Sequence, residues 1–217
     1  MNRSLRLLAA ALVLTACHHG GKPEDEPEPV QEPARPLANL AGQRTIVTPS
    51  FYVTQGDALG WAAQIPKPRE YMKQLDEEIA TVLADRGLKT MWTYPADLVR
   101  ASKSNPTYAV DPYSIGANVL RGNIASGAKL GDPLTTQLRT MIALQEGARA
   151  VLVPVELHFE KAPTVGQGIA VLKIALLDGR LGDVRWVGYV RSEPSSTLSR
   201  AVLTSVAAHL ADLITAQ

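Results

Sequence analysis

Cys17 is the residue whose type and position point most directly to a chemical reaction, because it is the only cysteine of this 217-residue chain. It follows a leader with a positively charged start, an uninterrupted apolar stretch over residues 7–14 and small residues before the cysteine. This order is typical of a bacterial secretory leader, and a cysteine at its end is typical of a lipobox. The sequence therefore predicts that the thiol is diacylated and that the cysteine becomes the first residue after cleavage. The lipobox consists of Leu14, Thr15, Ala16 and Cys17.

The leader also predicts where the protein is located. Its apolar stretch is shorter than the roughly 20 residues of a membrane-spanning helix, so we expect a lipid-anchored protein rather than a spanning one. A free secreted protein with a chance cysteine is the alternative. In Gram-negative lipoproteins, Asp directly after the lipidated cysteine usually retains the protein at the inner membrane, whereas this chain has His18. We therefore expect an anchor in the inner leaflet of the outer membrane, with the domain in the periplasm.

Two other patterns in the sequence could indicate sites of chemistry. His158 lies between Glu156 and Glu160 on one face of a predicted strand, which indicates either a metal or proton-transfer site or, more commonly, a solvated strand face. Residues 122–130 have the glycine spacing of a phosphate-binding loop, but Ala128 separates the second glycine from the lysine and no hydroxyl follows that lysine. We therefore expect no catalytic residue, no metal site and no cofactor.

Aromatic residues in irregular segments are the candidates for binding a partner. Trp61 lies in a loop rich in turn-forming residues and is either a partner-binding anchor or a cover for the end of the core. Residues 103–132 lack a clear helix or strand pattern, and such long segments in compact domains are usually functional or disordered. We predict partner-binding residues at Trp61, Tyr108 and Tyr113. Apolar alternation over 113–120 leaves a membrane-inserted strand as an alternative, although a spanning strand needs about 9–11 residues and a partner strand.

Composition divides the chain into a signal peptide over 1–16, a lipidated, acidic and proline-rich tether over 17–43, and a single domain over 44–217. The tether has too little apolar surface to fold and is predicted to be disordered; an acidic binding tail is the alternative. Loss of the leader removes two arginines and no acid, which leaves 20 basic and 21 acidic residues and a net charge near −1. This charge gives no support for a nucleic-acid partner.

Hydrophobic periodicity predicts the elements that position these residues. The clearest helix pattern precedes Gly87, where Met72, Leu75 and Ile79 share one face. The predicted elements are a strand over 45–53, a helix over 69–86, a strand over 88–94, a short helix over 96–102, a helix from Asp132-Pro133 to Gly147, strands over 150–160, 169–178 and 184–191, and a last helix capped by Ser195 or Ser196.

This order of elements predicts the α/β class, or α+β. We expect a single domain of two or three layers in which helices flank a mixed sheet. A C-terminal hairpin is followed by a helix. Because lipidation consumes the only thiol, the fold depends on an ordinary hydrophobic core and has no disulfide.

Several short motifs lie along this order: a proline-aromatic turn at Thr48-Pro49-Ser50-Phe51, a helix ending in glycine over 83–88, a Gly-Ala-led strand over 147–153, and a long strand followed by a Trp-containing strand over 172–188. With them the chain resembles, over 45–215 and apart from 103–132, the domain shared by the TolB amino-terminal domain, the curli-secretion lipoprotein CsgG and the penicillin-binding-protein activator LpoB. The resemblance implies a periplasmic binding or assembly module and provides no catalytic residue to transfer.

The sequence therefore predicts a non-enzymatic, membrane-anchored lipoprotein that binds another envelope protein for assembly, regulation or transport. The first alternative is an oligomeric outer-membrane secretion component of the curli-secretion type. The second alternative is an envelope enzyme, for which no residue pattern was found. The oligomeric state is left open.

Overall fold

A six-stranded mixed sheet forms the middle layer of the domain in the computed structural model, which describes residues 35–145 and 147–215. The spatial order is β3-β1-β4-β5-β6, and β2 also pairs with β4. The pairs β1–β3, β1–β4 and β2–β4 are parallel, whereas β4–β5 and β5–β6 are antiparallel. The strands are β1 (Thr45–Val47), β2 (Tyr52–Val53), β3 (Trp92–Thr93), β4 (Ala150–Lys161), β5 (Gly168–Asp178) and β6 (Asp183–Arg191).

Four α-helices flank this sheet within the described residues and complete a three-layer α/β arrangement. Proline occupies the first turn of α1 and of α2, where a missing backbone N–H loses no helical hydrogen bond. The helices are α1 (Pro68–Leu83), α2 (Pro95–Ser104), α3 (Leu134–Ala143) and α4 (Arg200–Asp212). The predicted fold class is confirmed, including the C-terminal hairpin β5–β6 that is followed by helix α4.

Helices α1 and α4 cover the first face of the sheet and run in the same direction. Glu78, 7% exposed, forms an ion pair with Arg200 and accepts a 2.8 Å hydrogen bond from the Thr204 hydroxyl. Just beyond the end of α1, Arg86 contacts Asp212, the last residue of α4, at 2.9 Å. Apolar side chains between these polar contacts bury the face: Met72, Leu75, Ile79 and Leu83 from α1, and Val202, Leu203, Val206 and Leu210 from α4.

The second face is covered by α3, by Leu98 of α2 and by an irregular stretch that we call the cover segment, residues 103–132. Two short 3-10 turns, Pro112–Ser114 and Ala117–Leu120, interrupt it. Residues of alternate positions in the sheet form the other side of this core: Ile46 of β1, Val151, Val153 and Val155 of β4, Ala175 and Leu177 of β5, and Val184 of β6.

The strand predicted over 45–53 is divided in two. Thr48 N–H donates to the Leu152 carbonyl at 3.0 Å, and pairing with β4 resumes where Thr54 N–H donates to Leu157 at 2.9 Å. Pro49 has no N–H to donate, so the chain leaves the ladder between these points. The division places Ser50, which is 3% exposed, between β1 and β2 and beside α1.

Two further boundaries differ from prediction. The strand predicted over 88–94 is only Trp92–Thr93, because the chain continues from α1 in a π-helical turn, Ala84–Leu88, where Gly87 has a φ of 86°. The last helix is preceded by Ser199 rather than capped by Ser195 or Ser196, since Ser195 pairs with Gly168 through backbone hydrogen bonds of 2.8 and 2.9 Å.

The folded part begins before the predicted boundary at residue 44. Leu37 and Leu40 are at most 1% exposed and belong to the core beneath α1 and α4. The Leu37 N–H donates to the Leu213 carbonyl at 3.2 Å, so the ends of the described chain are joined. Residues 35–43 therefore belong to the domain, and the predicted tether retains only 17–34. None of the helices within 35–145 and 147–215 is long and apolar enough to cross a membrane.

Candidate functional site

The cover segment is held on the sheet by apolar and polar contacts. Ile115, Ala117 and Leu120 are at most 4% exposed. Lys173 of β5 is 5% exposed, and its ammonium group donates to the carbonyl oxygens of Arg121 at 2.9 Å and Gly122 at 2.7 Å. Burial lowers the pKa of Lys173, against the opposing effect of the nearby Glu156 carboxylate. The membrane-inserted strand left as an alternative over 113–120 is not what the structure has there, since this stretch contains the 3-10 turns Pro112–Ser114 and Ala117–Leu120 and the side chains of Ile115, Ala117 and Leu120 face the core.

Tyr113 of the cover segment contacts α1 through its hydroxyl, which donates to Oδ2 of Asp76 at 3.1 Å. The other carboxyl oxygen of Asp76 accepts the backbone N–H of Ser50 at 2.7 Å. Burial raises the pKa of Asp76 to about 7, against the opposing effect of the hydrogen bonds from Ser50 and Tyr113. Burial together with the nearby carboxylate raises the pKa of Tyr113. The carboxyl therefore links the end of β1, helix α1 and the cover segment.

A cavity of about 200 Å³ lies above this contact, between α1 and the turn at Asp111–Ser114. Arg69 and Lys73 project from α1 at its mouth, and the Lys73 ammonium lies 5.5 Å from the centroid of the Tyr113 ring. Phe51 and Met72 contribute apolar surface, and Ser50 also lines the cavity. Of the three residues predicted to bind a partner, Tyr113 therefore lines this cavity.

Tyr108 lies elsewhere on the cover segment and is 77% exposed. Val110 and Val119 of the same segment are also exposed, at 42% and 48%. The structure thus separates the two predicted tyrosines: Tyr113 is half-buried against α1, and Tyr108 is exposed. The partner-binding role of both residues stays a prediction.

Trp61 is positioned by Asp57, whose carboxylate accepts the N–H groups of Leu59 at 2.8 Å, Trp61 at 3.1 Å and Ala62 at 2.6 Å. Partial burial raises the pKa of Asp57, but these donors outweigh it and lower that pKa below its usual value. The indole is 5% exposed and packs edge-on against Phe159, with 5.6 Å between ring centroids. Its burial favours the interpretation as a cover for the end of the core.

The strand face around His158 is linked by ion pairs. His158 Nε2 lies 2.9 Å from a carboxylate oxygen of Glu160, while Glu156 pairs with Arg121 and accepts a 2.6 Å hydrogen bond from Thr54. Partial burial raises the pKa of Glu156, but the hydrogen bonds from Arg121 and Thr54 outweigh it and lower that pKa. Across 35–145 and 147–215 no group of three His, Cys, Asp or Glu is arranged to hold a metal ion.

Residues 122–130, whose glycine spacing is that of a phosphate-binding loop, contribute instead to the edge of the sheet. Leu130 N–H donates to the Gly182 carbonyl at 2.7 Å, and Val184 N–H donates to Ala128 at 2.9 Å. The ammonium of Lys129 is paired with Asp183. The lysine that a phosphate would need is therefore held by a carboxylate of β6.

Sequence reasoning missed Asp76, the centre of the polar contact. A signal was present, because Asp76 follows Met72 by four residues and so lies on the apolar stripe of α1. A carboxyl on such a stripe needs hydrogen-bond donors when buried. The lipobox residues Leu14, Thr15, Ala16 and Cys17 lie outside the described residues.

No family model and no curated protein matches this chain. Among solved structures it is similar to the PelC dodecamer from Paraburkholderia phytofirmans, with 15% identity and a TM-score of 0.39 over 82% of this chain and 91% of that chain. Lipoprotein GNA1162 from Neisseria meningitidis is 16% identical, with a TM-score of 0.32 over 74% and 90%. E. coli LpoB is 15% identical, with a TM-score of 0.36 over 90% and 88%.

LpoB, one of the proteins that the sequence resembles, is among these structures, and the likeness is one of fold.

Proposed function

We propose that this chain is a non-enzymatic lipoprotein that binds another protein of the cell envelope, as an assembly or regulatory module. The acylated Cys17 anchors it in the inner leaflet of the outer membrane, and the domain lies in the periplasm. The leader and lipobox support the anchor. A near-neutral mature chain supports a protein partner over a nucleic acid.

The observation that carries the binding role is the uneven distribution of exposed apolar side chains. Among the described residues, seven large hydrophobic side chains are exposed, and three of them lie on the cover segment. These are Tyr108, Val110 and Val119. Exposed aromatic and aliphatic side chains are typical of protein-binding sites. Because the cover segment is fixed to the sheet by Lys173 and to α1 by Asp76, these side chains are presented on a supported backbone.

The non-enzymatic part of the proposal is supported by the partners of the two described histidines. His158 lies against Glu160, and His209 contacts the Arg191 carbonyl through Nδ1 at 2.6 Å and the Glu193 carboxylate through Nε2 at 3.2 Å. A histidine base activates a nucleophile by contacting a hydroxyl or thiol. Both imidazoles contact acceptor oxygens instead. Loss of a measured activity of the purified domain in the Glu156→Ala/His158→Ala variant would contradict this part.

Site-specific photo-crosslinking in whole envelopes tests the binding surface. A photoreactive amino acid replaces Tyr108 in one variant and Val165 in a matched control, since Val165 is 98% exposed on the β4–β5 turn. We expect a discrete adduct with another protein from position 108 and none from position 165. Equal adducts from both positions, or none from either, would overturn the proposed surface.

The molar mass of the lipidated protein in mild detergent separates this proposal from the oligomeric secretion component. Light scattering with the detergent mass subtracted should give a monomer or a small assembly. A discrete assembly of many copies would favour the secretion alternative, with the cover segment as a contact between copies. An adduct from position 108 that contains only this chain would support the same alternative.

A further inference from the structure

The end of the sheet where the chain enters the domain is the part that follows the proposed anchor at Cys17 most closely in sequence. Strands β1, β3 and β4 begin at this end, and the β5–β6 turn lies beside them. The contact of Leu37 with Leu213, just beyond α4, places the first described residues at the same end. Residues 17–34 are the length of chain between the anchor and this end. A bilayer that holds the anchor is therefore within reach of it.

Backbone contacts make this end of the sheet one continuous surface. The Met91 carbonyl, just before β3, accepts the N–H of the first residue of β1 at 3.3 Å. The Gly179 N–H in the β5–β6 turn donates to the Arg149 carbonyl at 3.0 Å. Residues 39–43, Arg149 and Arg185 line one cavity between these segments. We call this surface the anchor-side face; it consists of Arg44, Lys89, Met91, Arg149, Arg180, Leu181 and Arg185.

The anchor-side face is basic. Three of its cations are exposed and form no ion pair within 35–145 and 147–215: Arg44, Lys89 and Arg180. The side chains of Arg149 and Arg185 are 57% and 48% exposed and share a single carboxylate, that of Asp178, which is 4% exposed. The face therefore presents more positive than negative charge to the solvent.

Two exposed apolar side chains lie among these cations. Leu181, 48% exposed, lies in the β5–β6 turn directly after Arg180. Met91, 40% exposed, lines a cavity together with Arg44. Exposed charges alone do not identify a ligand. Cations interspersed with exposed aliphatic side chains suit the surface of an anionic bilayer, because the aliphatic groups enter the headgroup region while the cations contact phosphates.

We propose that the anchor-side face binds the surface of a bilayer that contains anionic phospholipids. Leu181 and Met91 enter the headgroup region, and the surrounding cations contact lipid phosphates. The proposal rests on the acyl anchor at Cys17, which keeps the face close to the bilayer. A basic surface alone gives weak membrane binding that salt screens. A domain that is already tethered needs little additional affinity to adopt one orientation on the bilayer.

Fluorescence quenching of the acylated full chain in vesicles tests the proposal, because the acyl chains hold the protein on the vesicles whether or not the face binds. Since acylation consumes the Cys17 thiol, Leu181→Cys introduces one thiol that can carry a fluorophore. Val165→Cys is the matched control, because Val165 is 98% exposed on the β4–β5 turn at the opposite end of the sheet. The vesicles contain phosphatidylglycerol and phosphatidylcholine in equal parts, with a nitroxide quencher on the lipid headgroups.

At low salt we expect the label at position 181 to be quenched at least about threefold more than the label at position 165, and high salt should reduce this difference. Equal quenching at the two positions would overturn the proposal. A difference of the same size in vesicles of phosphatidylcholine alone would also overturn it, because the attraction to anionic lipid would then play no part.

Charge variants of the labelled Leu181→Cys chain test the assigned cations. Arg44→Gln/Arg180→Gln should reduce the excess quenching at position 181 about twofold, since two cations leave the face. Arg69→Gln/Lys103→Gln is the matched control, because it removes the same charge from exposed positions outside the face and should leave the quenching unchanged. Equal losses in both variants would contradict the assignment. Mass spectrometry that finds no acyl group would overturn the anchor and this proposal together, whereas equal quenching of an acylated chain overturns the anchor-side face alone.

Discussion

Tyr113 and Asp76, 37 residues apart in sequence, are joined by a 3.1 Å hydrogen bond from the phenol to a carboxyl that is only 5% exposed. Since the same carboxyl accepts the Ser50 N–H, one side chain of α1 fixes both the end of β1 and the cover segment. Loss of this contact should loosen the cover segment without disturbing the sheet, because the apolar contacts of Ile115 and Leu120 with the sheet remain.

Tyr113→Phe tests this contact. The variant keeps the ring and removes the hydroxyl, so we expect the free energy of unfolding to fall by about 1 kcal/mol. Amide hydrogen exchange should become faster over 112–120 and stay unchanged in β4. Denaturant unfolding and exchange mass spectrometry measure the two effects. Tyr108→Phe is the matched control, since Tyr108 is 77% exposed; an equal loss there would contradict the assignment.

Asp76→Asn should change how stability depends on pH. The folded pKa of Asp76, about 7, lies above its ordinary value of 3.8, so the folded state retains a proton that the unfolded state has released. The free energy of unfolding therefore falls as pH rises from about 4 to about 7, and asparagine removes this loss. Relative to the native protein, the variant should gain up to about 4 kcal/mol between about pH 4 and pH 8.

Denaturant titrations at several pH values measure this difference between Asp76→Asn and the native protein. Asp85→Asn is the control, because Asp85 is an exposed carboxylate just beyond the end of the same helix. The Asp85→Asn difference is the reference for the loss of one exposed negative charge near α1. If the difference in free energy of unfolding between Asp76→Asn and the native protein did not change with pH, the Asp76 carboxyl would ionise in the folded protein as it does in the unfolded chain.

Asp178 gives the opposite pH dependence. Its carboxylate, 4% exposed, contacts Arg149 and Arg185 at 2.8 Å each. Burial raises the pKa of Asp178, but hydrogen bonds from Arg185, Leu181 and Arg149 outweigh it and lower that pKa to about 2. Asp178 therefore stabilises the fold above its ordinary pKa of 3.8, and this stability is lost as pH falls toward 2.

Asp178→Asn should lower the free energy of unfolding near neutral pH by about 2 kcal/mol, with a smaller loss below about pH 3. Thermal unfolding followed at neutral and acid pH measures both. Asp85→Asn, at an exposed aspartate just beyond the end of α1, is the control and should have little effect. A loss for Asp178→Asn that is independent of pH would point to the side-chain shape rather than to its charge.

Gly168→Ala tests the packing of Trp61. An added Cβ would lie 2.4 Å from a methyl carbon of Leu59 and 2.9 Å from the Trp61 ring. Both side chains must move, so we expect a loss of about 1–3 kcal/mol and a red shift in tryptophan fluorescence. Gly42→Ala is the control, because nothing lies within 4 Å of its added Cβ. An unshifted emission spectrum would mean that Trp61 keeps its buried position.

Cys17→Ser tests the anchor. Without the thiol no acyl chain can be attached, so labelling with a fatty acid should be lost and the chain should leave the membrane fraction. His18→Asp keeps the thiol and should instead move the labelled protein from the outer to the inner membrane. Membrane fractionation after labelling measures both. Membrane retention of the unlabelled Cys17→Ser chain would contradict anchoring by lipid alone.

The sequence predicted the elements whose periodicity is strong. Helix α1 has an apolar stripe of Met72, Leu75 and Ile79, and β4 alternates through Leu157 and Phe159, so both were found within a few residues. These patterns arise because each element buries one face against the same sheet. The order of such elements predicted helices flanking a mixed sheet, with two or three layers left open.

The cover segment could not be predicted because its burial has no fixed period. Ile115, Ala117 and Leu120 are buried from 3-10 turns, so their spacing matches neither a strand nor an α-helix. The cavity depends on this segment meeting α1, where the contacting residues Asp76 and Tyr113 are 37 positions apart in the chain. Of its polar residues, only Tyr113 was named from the sequence, and its partner Asp76 was not.

The place of Leu37 has a mechanical consequence for a chain held at its N-terminus. A pull from the anchor would reach the Leu37 N–H and its contact with the Leu213 carbonyl before it reached β1. Leu37 and Leu40 would have to leave the core before tension passed to the strands. The first contacts to yield would therefore lie at the end of α4, and the sheet with its cover segment would keep its geometry under moderate load.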